Sequence, residues 1–83
     1  MITHVAIKHD DIVYALPKPK RHCHVLAMMK ALGIKPPCGR YQGFVTDTGT
    51  FVDRKEGARI ALASGQIVEL QFTDDELLSE DLW

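Results

Sequence analysis

The chain lacks an excess of charge of either sign. Ten Lys and Arg stand against eleven Asp and Glu, for a formal net charge of −1 at neutral pH, which removes the basic footprint that coating of nucleic acid requires. Cysteine is equally scarce. Cys23 and Cys38 are too few and too widely separated for a metal-knuckle pattern, and reduced thiols in a cytoplasmic protein are expected, with a single bridge between them left open as the alternative. No apolar run approaches the length of a signal-peptide core or a membrane span, and there is no repeat, linker or low-complexity stretch. With 83 residues the chain reads as one domain over 1–83. At this size only roughly 60% of the unfolded surface can be buried, so a homo-oligomer is expected to supplement a small core.

What is present is punctuation. Residues 2 to 8, the turn His9-Asp10-Asp11 and the β-branched and aromatic run 12 to 16 predict a first hairpin. Pro17 and Pro19 cannot donate to a ladder and should end it. From about residue 20 to 32, His22, Val25, Leu26, Met29 and Leu32 recur at three- and four-residue steps, predicting an amphipathic helix closed by Gly33. Residues 41 to 46 and 50 to 52 flank Asp47-Thr48-Gly49 as a second hairpin. Asp53 and Glu56 have capping-box spacing before a helix that runs to about residue 64, with Gly65 at its exit. Beyond it, Val68, Leu70 and Phe72 alternate with Glu69 and Gln71, the pattern of a further strand. Thr73 and Glu76 then repeat the capping-box spacing ahead of a short terminal helix or ordered tail ending in Trp83. The fold class expected is α+β: two β-hairpins alternating with two helices, a further strand and an ordered C-terminal tail.

Several of these segments carry a resemblance. Asp47-Thr48-Gly49, Phe51-Val52-Asp53-Arg54-Lys55-Glu56, Ile60-Ala61, Gly65-Gln66, Leu78-Ser79-Glu80-Asp81-Leu82-Trp83 and the segment Ala15 to His22 together resemble a family of small phage and prophage proteins, over most of the chain. The chain departs from that family's pattern at Gly57, where alanine is usual, and at Cys23, where a second histidine is usual. None of these motifs is a catalytic or cofactor fingerprint. The resemblance implies an anti-defence protein of the host cytosol, one class of which sequesters nucleotide immune signals as compact oligomers without cleaving them. Such a protein would be no enzyme and would need no cofactor.

The residues themselves point to an anion. Lys18, Lys20, Arg21 and His22 cluster at the start of the first helix, where unpaired N–H groups attract phosphate; Arg21 offers a bidentate grip and His22 a donor or a stacking surface. The bland alternative is that Arg21 pairs with a surface acid and His22 is a hydrogen-bonded core residue. Around the second hairpin Tyr41 and Phe44 offer an aromatic wall, with Arg40, Gln42 and Arg54 as polar anchors; the bland alternative, that both aromatics are core residues and Arg54 faces water, is the commoner arrangement for such residues. The expected ligand-binding set is therefore Arg21, His22, Tyr41, Gln42, Phe44 and Arg54, with Phe44 on a base. Metal binding by His22 and His24 is disfavoured because positions i and i+2 lie about 200° apart on a helix. Cys23 between these histidines suggests a nucleophile, but no orienting residue is evident. An alternative function rests on the acidic tail, whose Leu77, Leu78, Leu82 and Trp83 would anchor it on a host defence protein.

Overall fold

Two adjacent aspartates make the turn of the first hairpin. Asp10 and Asp11 both adopt positive φ, 50° and 63°, the mirror-image turn whose twist matches that of flanking strands and which Asp tolerates better than most residues. They join β1 (Ile2–His9) to β2 (Ile12–Pro17) in the computed structural model, which describes residues 1–35 and 41–83. The remaining elements are α1 (His22–Ala31), β3 (Gln42–Thr46), β4 (Phe51–Asp53), α2 (Arg54–Ala63) and a short α3 (Ser79–Leu82). The strands form one antiparallel sheet in the order β2-β1-β3-β4. The α+β expectation is met. Cys38 and Arg40, named above as a possible thiol partner and a polar anchor, lie outside the described residues.

Alternation decides what the sheet buries. Val5 and Ile7 of β1 share a face with Phe44 of β3, and all three pack with Val25 and Met29 of α1 and Ala58 and Ala61 of α2 in one cluster, so both helices cover the same side. Small residues on α2 let it approach closely. A side-chain carbon added at Gly57 would lie 2.9 Å from the Phe44 ring and 3.4 Å from Leu77. On the other side, Ala15, Ala6 and Gly43 stand opposite one another across three strands. Gly43 is required there, because an added carbon would collide with the Val52 carbonyl and meet the Phe51 ring at 2.7 Å; Phe51 lies across the glycine, with Lys8 Nζ 5.9 Å from its ring centre.

The segment from 67 to 72 is not the strand its alternation predicts. Its donors are spoken for elsewhere: Ile67 N bonds the Ala61 carbonyl at the exit of α2, and Gln71 N bonds Asp81 Oδ1 at 2.9 Å. Leu70 packs on the core while Val68 is 93% exposed. A side chain does instead what a strand would have done. Beyond the end of β2, the Gln66 amide accepts from Ile2 N at 2.8 Å and donates to Ile2 O at 2.9 Å, closing the open side of β1.

The Thr73 spacing also resolves differently. Its hydroxyl accepts from Glu76 N and donates to Glu76 O, a local turn with no helix behind it. The helix comes later, at Ser79, where Asp81 Oδ2 accepts from Leu78 N at 3.0 Å. Asp53, by contrast, caps α2 as its sequence predicts, accepting from Glu56 N at 2.8 Å. The reciprocal half of that box is absent, since the Glu56 carboxylate turns to Arg59.

Candidate functional site

The six residues expected to bind a ligand separate into four environments. Phe44 is fully buried, its ring centre 5.0 Å from that of His22 in an edge-on arrangement, so no face of it is open to a base. His22 is buried beside it. Its Nε2–H donates to the Gly43 carbonyl at 2.7 Å, which fixes the tautomer, and burial pushes its pKa below the ordinary value of 6.5, helped by the Arg54 charge and opposed by that hydrogen bond and by Glu80. This neutral imidazole is the hydrogen-bonded core histidine of the bland alternative.

Arg21 is engaged by the tail. Its Nε and Nη2 donate to the Trp83 main-chain oxygen at 2.9 and 2.6 Å, while the Trp83 indole N–H donates to Lys20 O at 2.6 Å. Two N–H groups at the start of α1 are taken up within the chain as well: Arg21 N by His24 Nδ1 at 2.9 Å and His22 N by Ser79 Oγ at 3.4 Å. The helix start singled out for phosphate is thus closed by the protein's own chain. His24 Nδ1, 3.9 Å from the Cys23 sulfur, is already accepting from Arg21 and has no lone pair left there to activate the thiol. The tail's anchors face inward as well, for Leu77 is fully buried and Trp83 half-buried.

Gln42 and Arg54 are brought together. They line a cleft of about 270 Å³ with Asp53, Lys55 and Glu76 at the start of α2. The Arg54 side chain is 23% exposed and its nearest acid, Glu76, stands 3.8 Å away, beyond hydrogen-bond reach; Lys55 and Asp75 are 3.7 Å apart. Among the described residues no hydrogen bond fills the Arg54 guanidinium. Gln42 also walls a second depression of about 220 Å³, bounded by His22, Cys23, Leu78 and Glu80, so the amide stands between the two. Tyr41, next to it in the chain, instead lines a depression of about 250 Å³ with Lys8, His9 and Asp10. Sequence reasoning missed Lys55, although Asp53 as cap places residues 54 and 55 together in the first turn. It also missed Ser79 and Glu80, whose contacts with α1 span more than fifty residues and leave no local signal.

A family model, that of the Phage T4 y16D protein, matches residues 1–83. The chain belongs to this family. No match was found among curated proteins or solved structures. Two of the segments that carried the resemblance to phage proteins meet in the y16D fold: Lys20, Arg21 and His22 close against Ser79 and Trp83. No helix among the described residues is long and apolar enough to cross a membrane.

Proposed function

We propose that this phage protein binds a phosphate-bearing, nucleotide-derived signalling molecule of bacterial defence and withholds it without cleavage, holding the phosphate at the start of α2. The observation that carries this reading is the half-buried Arg54 guanidinium, whose donors no acceptor fills among the described residues, converging with Lys55 and Gln42 on one cleft. A guanidinium matches phosphate with two parallel hydrogen bonds, the first-turn N–H groups of a helix add to the attraction, and the Gln42 amide is placed for the polar edge of the attached group. Glu76 and Asp75 hold Arg54 and Lys55 only at ion-pair distance, so an entering phosphate displaces weak contacts rather than formed hydrogen bonds.

Calorimetry with a panel of cyclic dinucleotides and ADP-ribose-type nucleotides, followed by recovery of the bound molecule, tests this. An intact nucleotide released in fixed ratio to protein is the expected result. Arg54→Gln should weaken binding at least roughly tenfold, the scale of a lost charge-assisted pair, with the fold unchanged by circular dichroism. Absence of binding heat across the panel, or release of a cleaved product, would overturn the reading.

A further inference from the structure

Among the described residues, the outer strand of the sheet is an unpaired edge. Exposed edges are ordinarily blunted by charge, bulge or a covering segment, yet β2 reads Ile12-Val13-Tyr14-Ala15-Leu16-Pro17, with Ile12 54% and Val13 40% exposed and β1 its sole sheet partner among the described residues. The two-residue turn makes His9 and Ile12 the hydrogen-bonded closing pair. Alternation then points Tyr14 and Leu16 toward β1 and turns the main-chain N–H and C=O of Val13 and Ala15 outward. Pro17 ends the usable edge, having no N–H and a carbonyl already taken by Lys20 N at 3.0 Å.

We infer that β2 pairs antiparallel with β2 of a second copy about a two-fold axis through Tyr14, joining two four-stranded sheets into one. Three considerations select this arrangement. Side chains keep their faces only if residues of like parity stand opposite each other, which places the axis through a residue. With the axis at Tyr14, Val13 faces the partner copy's Ala15, and about four main-chain hydrogen bonds form in all; an axis at Ala15 would set Val13 against Pro17, which cannot donate.

Charge decides the direction. The acids Asp10 and Asp11 precede β2 and the bases Lys18 and Lys20 follow it, so antiparallel pairing sets Asp10 opposite Lys18 at both ends, whereas parallel pairing would set acid on acid and base on base. On the helix-covered side Ile12 meets Leu16 of the second copy, and Tyr14 meets its own equivalent. The interface is isologous and closes at two copies.

Sedimentation of the nucleotide-free protein over a concentration series tests this separately from any ligand. The expected result is a dimer that Val13→Pro weakens roughly 10- to 100-fold, through loss of two hydrogen bonds; the removed N–H takes no part in the ladder with β1, so the monomer should keep its circular dichroism. Asp10→Lys should weaken the dimer and Asp10→Lys with Lys18→Glu should restore it. In a cysteine-free background Tyr14→Cys should cross-link on oxidation and Ile12→Cys should not, since opposed residues at a non-hydrogen-bonded pair lie about 4.5 Å apart at Cα, within disulfide reach. A wild-type monomer throughout the series, a dimer indifferent to the charge exchange, or equal cross-linking at 12 and 14 would overturn the inference.

Discussion

The starts of α1 and α2 look alike in sequence, each a basic pair entering a helix, and the fold treats them in opposite ways. At α1 the Arg21 guanidinium, the N–H groups of Arg21 and His22 and the Lys20 carbonyl are bonded within the chain, chiefly to the segment Ser79 to Trp83. At α2 only Glu56 N is capped by a side chain, from Asp53, and Arg54 is left with an acid at 3.8 Å. The lesson is that a cluster of cations marks a binding site only where the rest of the chain leaves its donors unfilled. Counting charges cannot make that distinction; the hydrogen-bond inventory does.

The comparison breaks most severely at Leu77, which is buried against α2 and whose N–H bonds the Arg54 carbonyl at 2.9 Å. Leu77→Ala should cost about 2–5 kcal/mol and disturb both helix starts at once, read as the largest fall in denaturant midpoint of any single substitution here. Trp83→Ala separates the two sites: it removes the indole contact that closes α1 and should cost about 1–3 kcal/mol, while leaving nucleotide binding at α2 unchanged in calorimetry. If binding fell in a folded Trp83→Ala protein, the closed start of α1 would be the functional one.

Asp53→Ala sharpens the contrast from the other side. Loss of the cap should lower stability by about 1 kcal/mol, which for a chain this short is a fall of about 4–8 °C in Tm. Gly57→Ala should give a smaller net change. The helix propensity gained, about 1 kcal/mol, is opposed by the shift forced on the buried Phe44 ring.

The smallest effect is expected from acid. The folded state holds His22 neutral with a pKa below 6.5, so below that value the unfolded chain binds more protons, and stability falls as pH drops from 6.5 toward the folded pKa. Thermal melts between pH 7 and pH 5 should show this decline, and His22→Gln, which keeps a donor for the Gly43 carbonyl, should flatten it.

Local chemistry explains which parts of this fold were readable. The Asp10-Asp11 turn, the Asp53 cap and the exits at Gly33 and Gly65, with φ of 79° and 75°, each depend on residues within a few positions, and the expected hairpins and main helices follow from them. The error at residues 67 to 72 arose because alternation reports propensity for a strand and says nothing of whether a sheet edge is within reach; here Ala61 and Asp81 took the donors first. Thr73 and Glu76 failed similarly, since the same spacing suits a turn and a helix start. At the candidate site, Gln42 and Arg54 were legible and meet, but the burial of Phe44 and the closure over Arg21 depend on contacts between distant parts of the chain. A helical or strand period cannot encode those.

The Gln66 clamp on Ile2 carries a consequence for the order in which the molecule completes itself. Emerging from a ribosome, β1 and β2 appear first, yet the third strand follows some thirty-five residues after β1 and the amide that closes the far side of Ile2 comes later still. Helix α1, made next, can cover part of the apolar face of the first hairpin through Val25 and Met29, whereas the Ile2 end of β1 stays open until Gln66 has been made.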